Sequence, residues 1–373
     1  MTSKDRMMIA LEGGTPDRLP VTVHQWQGWH LDRYMDGITA LEAFRATGMD
    51  AAIQYFEAMG QFWLPDAEKH TIQTADWRDE VEIVSAHPDD KVLHHTIHTP
   101  EGTLTYKTGG DRKTTWITEY LIKNDEDLYL IEKYMPVARL DTKVVGEAYE
   151  EVGDSGILRG FVWGDQAGCW QHAACLMDVQ HLILKAIDDP DWVHRLLKTL
   201  LDRKLRFIDE SLTNAKFDLI ETGGGSASDT VISPSMHAEF CLPYDRTLHR
   251  ALHDAGHLVT YHTCGGMRGI LDLIAQNGAD ASETLAPPGV GGNIVNPEEV
   301  REAFSGKLAM IGGMDQQNVL ARGSADEIRA EVTRLFERFG PDGGYILSMS
   351  DHFFDVPVEN LRAYADAARV CSY

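Results

Sequence analysis

The chain has 373 residues, 43% of them hydrophobic, which is enough to bury a large core. It carries 34 Lys and Arg against 58 Asp and Glu, a net charge of −24, and this acid excess argues against nucleic acid or an anionic membrane surface as partner. No apolar run approaches the roughly 18 residues of a spanning helix, and the five cysteines are sparse and irregularly spaced, the usage of a reduced cytoplasmic protein and not of a disulfide framework.

The first residues lead straight into a helix-like Met7-Met8-Ile9-Ala10-Leu11 with no signal-type apolar core or cleavage site. Gly13-Gly14-Thr15-Pro16-Asp17-Arg18-Leu19-Pro20 is a turn-rich approach to a strand, Val21-Thr22-Val23-His24. Gln25, Trp26, Gln27, Trp29 and His30 follow it, placed either to line a pocket or to pack under a loop. A helix is expected around residues 38–47. Tyr55, Phe56, Phe62 and Trp63 form a dense aromatic cluster, read as core or pocket wall.

Residues 80–123 change character. Short, β-branched, alternating stretches punctuated by Pro100-Glu101-Gly102 and Gly109-Gly110-Asp111 read as antiparallel hairpins, with His94, His95 and His98 on a surface strand. From about residue 155 the chain alternates strand and helix. Ile157–Trp163 is a strand leading to Asp165 and Gln166, and Phe217–Ile220 ends on Glu221. Ser233-Pro234 then starts one helix carrying Phe240, Tyr244, Leu248 and Leu252. Leu258–Tyr261 ends on His262 and Cys264, the next strand ends on Glu283, and Leu308–Ile311 leads to Asp315. Ser324 and Glu327 make a capping box, and Tyr345–Leu347 leads to Asp351 and His352.

Strand–helix repetition over more than about 200 residues implies parallel strands with helical crossovers. An α/β fold of the (β/α)8 barrel (TIM barrel) type fits the length, with functional groups at the C-terminal strand ends. An open doubly wound sheet is the alternative, but no G-x-G-x-x-G follows the first strand. In the barrel the polar strand ends form one ring: Asp165, Gln166, Glu221, His262, Cys264, Glu283, Asp315, Asp351 and His352.

Residues i and i+2 of a strand project to one face, so His262 and Cys264 present an imidazole and a thiol side by side. Both are zinc donors, and zinc takes four ligands or three plus an open position. Glu283 is the natural third, and Asp351 or His352 the fourth. Zinc there would lower the pKa of a substrate thiol or activate water. For Glu221, Asp165 and Asp315 the alternative to catalysis is hydrogen-bonded capping of loops.

The sequence resembles the uroporphyrinogen decarboxylase superfamily over nearly its whole length. The resemblance rests on Arg6…Asp17-Arg18-Leu19-Pro20, Ser233-Pro234…Leu242-Pro243-Tyr244, His262-Thr263-Cys264-Gly265-Gly266, Gly312-Gly313…Asp315, Gly343-Gly344-Tyr345 and Val356-Pro357. It implies a barrel forming one domain over residues 1–373, with a β-hairpin insertion at about 80–123. True decarboxylases of the family carry an N-terminal arginine-rich motif that holds the porphyrinogen carboxylates. Here no arginine falls between Arg18 and Arg33, so the acidic chain lacks that clamp.

The resemblance is closer in type to the zinc methyltransferases that work with corrinoid proteins, which carry His-x-Cys at a strand end and a later cysteine. No cysteine lies in residues 348–355. Asp351 or His352 then replaces it, or Glu283 completes the site, as in cobalamin-independent methionine synthases. The implied activity is methyl transfer between a small methylated or methoxylated compound, or a thiol, and cobalamin on a partner corrinoid protein. Glu221, Asp165 and Asp315 line the mouth as catalytic candidates, and Trp26, Trp29, Tyr55, Phe56 and Gln166 contact the substrate. Family members are commonly homodimers. The alternatives are a metal-independent decarboxylase and a non-catalytic member that docks a ligand.

Overall fold

A computed structural model describes residues 1–56, 72–163 and 168–373. Strand β1 (Ala51–Gln54) belongs to a parallel sheet. The next four strands form a separate antiparallel sheet: β2 (Arg78–His87), β3 (Asp90–Thr99), β4 (Gly102–Gly110) and β5 (Thr115–Glu119). On its first two strands His94, His95 and His98 lie against Glu82, Asp79 and Glu80. The parallel sheet then resumes with β6 (Gly156–Phe161), β7 (Leu219–Gly223), β8 (Val259–His262), β9 (Ala281–Thr284), β10 (Ala309–Met314) and β11 (Tyr345–Met349). Each strand pairs with its neighbour in the order β1-β6-β7-β8-β9-β10-β11.

The strand expected at Val21–His24 is reduced to a bridge. Val21 pairs in parallel with Leu347 of β11, whose N–H donates to the Pro20 carbonyl at 2.9 Å, while the Thr22 N–H donates to the Leu347 carbonyl at 2.9 Å. On the other side the Asp50 N–H, just before β1, donates to the Val21 carbonyl at 2.8 Å. This short segment therefore links the two edge strands of the curled sheet. Pro20 has no N–H to extend the ladder, and the chain leaves the sheet for the helix Gly28–Tyr34.

The segment is pinned by a buried carboxylate. Asp50 accepts from the Val21 N–H at 3.0 Å, from both terminal nitrogens of Arg18 at 2.9 and 3.0 Å, from Arg6 at 2.9 Å and from the Ser3 hydroxyl at 2.6 Å. Arg6 also forks onto Asp17. The Arg6…Asp17-Arg18 pattern in the sequence is thus a structural clasp.

Helix ends follow their caps. Ser324 and Glu327 form the expected reciprocal box on the helix Ala325–Phe339, and Thr39 with Glu42 does the same for Ala40–Thr47. The helix expected from Ser233 onward is broken into Pro234–Phe240 and Leu242–Asp254. Pro243 cannot donate to a preceding carbonyl, so it sits in the first turn of a new helix.

The strand interior is layered. Ala52, Ile157, Leu219, Ala281, Ala309 and Ile346 cluster with Met7, Ala10 and Leu11 of the helix Ser3–Leu11, which plugs the N-terminal end of the sheet. Two residues further along each strand, on the same side, come Gln54, Arg159, Glu221, Glu283, Ile311 and Ser348. The layer above the apolar plug is therefore largely polar. Among the described residues no helix is long and apolar enough to cross a membrane, and all five cysteines are free thiols.

Candidate functional site

Register brings the site together. His262 ends β8 as the direct partner of Glu283 on β9, so both side chains leave the sheet on one side. The His262 Nδ1 lies 2.8 Å from Glu283 Oε1 and 3.5 Å from Glu221 Oε1. Arg159, from the middle of β6, donates one terminal nitrogen to Glu221 Oε2 at 2.8 Å and to Glu283 Oε2 at 2.6 Å. Its register partner Gln54 donates to the same Glu221 oxygen at 3.4 Å. From the bridge segment, His24 Nδ1 comes within 3.9 Å of Glu283 Oε1.

His24, Arg159, Glu221, His262 and Glu283 are all buried, and their electrostatics follow from that. Burial pushes Glu221 up to about 8, and the Glu283 charge adds to the shift. Burial acts on Glu283 in the same direction, but the Arg159 charge and the His262 hydrogen bond outweigh it and hold that carboxylate well below its usual range. Burial keeps His24 neutral, well below the imidazole range. For His262 burial also opposes the charge, yet the neighbouring Cys264 sulfur and the two glutamates outweigh it and raise the ring well above its ordinary value.

His24, Glu221, His262 and Glu283 can each offer one donor atom, all within 4.8 Å of one another. The His262 Nε2 is buried and makes no hydrogen bond. Cys264 lies just beyond, in a cradle made by the Gly223-Gly224-Gly225 turn. A Cβ on Gly225 would meet the Cys264 Sγ at 2.7 Å, and one on Gly223, which has φ +85°, would meet the His262 carbonyl at 2.4 Å. The turn after β7 needs glycine because the His262–Cys264 backbone is packed on it. The Thr284 hydroxyl, from the residue after Glu283, donates at 2.6 Å to the carbonyl of Thr263, between His262 and Cys264. Thr284 has φ +82°, a strained conformation for a β-branched residue.

The other expected site residues fall in different places. Asp351 and His352 join His24 in a second donor group at the mouth, with the His24 ring 5.2 Å from His352 and 4.9 Å from His262. Asp315 caps the turn that follows it, accepting from the Gln317 and Asn318 N–H groups at 3.0 and 2.7 Å. Trp26 is buried against His30, Phe44 and Phe353 and belongs to the core. Trp29 sits at the surface, its indole N–H donating to Asp355 at 3.1 Å. Tyr55 packs on Phe217 and Phe56 stacks on Phe161, both continuing from β1. Asp165, Gln166, Phe62 and Trp63 lie outside the described residues.

Two residues of the cluster were not anticipated. Arg159 had a readable signal: a charged residue between Leu158 and Gly160, inside an otherwise apolar strand, needs a buried partner. His24 had a weaker one, since nothing in the sequence marks the bridge segment as the neighbour of β11.

The family profile described as uroporphyrinogen decarboxylase (URO-D) matches residues 103–370. Curated uroporphyrinogen decarboxylases from Thioalkalivibrio sulfidiphilus and Pseudoalteromonas translucida are 28% and 26% identical over 168 and 189 residues. Those stretches are 43% and 49% of this chain and 44% and 49% of the relatives, so the chain spans about half the length of the curated relatives it matches. The solved structure of a methyltransferase from Methanosarcina mazei superposes with a TM-score of 0.66, covering 99% of this chain and 98% of that one at 16% identity, a likeness of fold. With the profile matched from the second sheet through β11 and into the last helix, the chain belongs to the uroporphyrinogen decarboxylase family.

Proposed function

We propose that the chain is a zinc-dependent methyltransferase that moves a methyl group between a small methylated or methoxylated compound, or a thiol, and cobalamin carried by a corrinoid protein. The observation that carries this reading is the unpartnered, buried Nε2 of His262, set beside Cys264 and among donors from four strands or strand-like segments. A neutral imidazole keeps one ring nitrogen available as a ligand when the other is held by a carboxylate, and a mixed N, S and O set is the chemistry zinc takes. His262 and Cys264 would hold the metal, and His24, which groups with Asp351 and His352 at the mouth, points to where the remaining donors would come from. Zinc bound there would supply a Lewis acid that lowers the pKa of a thiol or polarises the oxygen of a methyl ether.

The chain's own residues support that role in three ways. Arg159 neutralises part of the charge of Glu221 and Glu283, so the site is not left with two uncompensated buried carboxylates. Glu221, which burial lifts above the usual carboxylate range, would share the second side of the imidazole with Glu283. Phe56, two residues after Gln54 and stacked on Phe161, would offer an aromatic wall to a substrate ring on the same side of the strand, with Tyr55 packed behind it on Phe217. The fold likeness to a methyltransferase agrees with the reading without carrying it. The test is elemental analysis of protein purified without chelator, followed by methyl transfer to a corrinoid protein before and after chelation. About one zinc per chain, with activity lost on chelation and restored by zinc, is the expected result. Full activity after chelation would refute it.

A metal-independent decarboxylase is the second reading, favoured by the likeness to curated uroporphyrinogen decarboxylases. Against it, the interior arginine of the cluster is already engaged by two glutamates. Turnover of uroporphyrinogen by metal-free protein would decide for it.

A further inference from the structure

We infer that Glu283 and Glu221 act on the metal through His262 and not as its ligands, and that Arg159 is the positioning residue that sets them to do so. The inference rests on the metal reading above and assigns roles within it. Arg159 takes one oxygen from each glutamate, Oε2 of Glu221 at 2.8 Å and Oε2 of Glu283 at 2.6 Å. The remaining oxygens, both Oε1, face one atom, the His262 Nδ1, at 2.8 Å from Glu283 and 3.5 Å from Glu221. One ring nitrogen is thus occupied by carboxylates, and the other, Nε2, is buried with no partner. Cys264 follows two residues later.

This is the arrangement expected when a metal-binding imidazole gives its second N–H to a carboxylate, which fixes its tautomer and ring angle. Direct ligation by Glu283 fits less well. Nitrogen and oxygen ligands of a tetrahedral zinc ion, each at about 2.0–2.1 Å from the metal, stand about 3.3 Å apart. The 2.8 Å contact between His262 Nδ1 and Glu283 Oε1 is a hydrogen bond with no room for an ion between the two atoms. Arg159 matters because a free glutamate has two equivalent oxygens and several rotamers. Held by a single guanidinium nitrogen, both glutamates present the same oxygen to the same ring.

The test is metal titration of the full-length protein, using competition with a chromogenic chelator for affinity and Co2+ absorption as a probe of the ligand set. Wild type is expected to bind one metal per chain with a thiolate–cobalt band. His262→Ala and Cys264→Ser should lose that binding. Glu283→Gln and Glu221→Gln, which keep shape, should still bind one metal with an unchanged cobalt spectrum and an affinity about 10–100-fold weaker. Arg159→Met gives a test of sign. Removing a buried cation would tighten binding of a dication if charge alone mattered, whereas lost positioning weakens it, and weakening is expected. A cobalt spectrum altered by Glu283→Gln, or tighter binding in Arg159→Met, overturns the assignment and leaves the metal reading standing. Absence of metal in wild type overturns both.

Discussion

Asp245 offers a stability test that does not depend on the proposed chemistry. It lies in the helix Leu242–Asp254, buried against the outer side of β8. Burial pushes its carboxyl up to about 7, and Tyr261 and Lys204, which favour the charged form, offset only part of that. The unfolded chain ionises near the ordinary aspartate value of 3.8. An acid whose folded pKa is raised contributes most below its unfolded pKa, where both states are protonated. That contribution falls as pH climbs from about 4 to about 7, and stays lost above. At about 1.4 kcal/mol per pH unit, the loss reaches on the order of 4 kcal/mol at pH 8 and about 1.6 kcal/mol at pH 5. Asp245→Asn removes the titration while keeping the shape. Urea unfolding of both proteins should give curves that nearly coincide at pH 4. The asparagine variant should be more stable by roughly 1–2 kcal/mol at pH 5 and by about 3–4 kcal/mol at pH 8. A variant advantage that does not change between pH 5 and pH 8, or a variant less stable at pH 8, would refute the reasoning.

Four further substitutions probe the frame and the cradle. Asp50→Asn leaves the Arg6 and Arg18 guanidiniums without their buried carboxylate, and chemical denaturation should show a loss of about 3–5 kcal/mol. Gly225→Ala places a methyl group 2.7 Å from the Cys264 sulfur; metal affinity, measured by chelator competition, should fall with no change in the far-UV spectrum. Trp26→Ala opens a cavity between Phe44, Phe353 and His30 and should cost about 3–5 kcal/mol in denaturation. Trp29→Ala, at the surface, should cost far less.

Much of the fold could be read because its signals are local. Glycine-punctuated β-branched stretches gave the antiparallel sheet, and a capping box gave the helix start at Ser324. Alternation of apolar strands with amphipathic helices gave the parallel sheet. Two features resisted for a common reason. The break before Pro243 turns on a proline that ends one hydrogen-bond run, and the Val21 strand stops after a single bridge, while the apolar pattern passes through both unchanged. Periodicity reports which face is buried, and Leu248 and Leu252 are buried whichever helix they belong to. It says nothing of where a ladder stops. The partner of Val21 is Leu347, more than 300 residues away, and no local pattern encodes that pairing.

The site residues divide along a physical line that the sequence also carries. Leu219-Ile220-Glu221 and Ala281-Ser282-Glu283 each place an acid two positions after an apolar residue of the plug, on the same side of the same strand. Ile157-Leu158-Arg159 places the matching cation in the same way. A side chain so placed must project into the interior above the plug, where water is excluded, and can persist there only with a partner of opposite charge. Asp315 has no such predecessor. It follows Met314, the last residue of β10, where the chain has already left the sheet. An acid there is free to turn back on the backbone and cap the next turn, which is what its bonds to Gln317 and Asn318 do. Acidity at a strand end is therefore too coarse a marker. The sharper one is acidity inside the strand, two residues above a residue of the plug, and applied to this chain it selects Glu221 and Glu283, brings in Arg159, and leaves Asp315, beyond the end of its strand, to its cap.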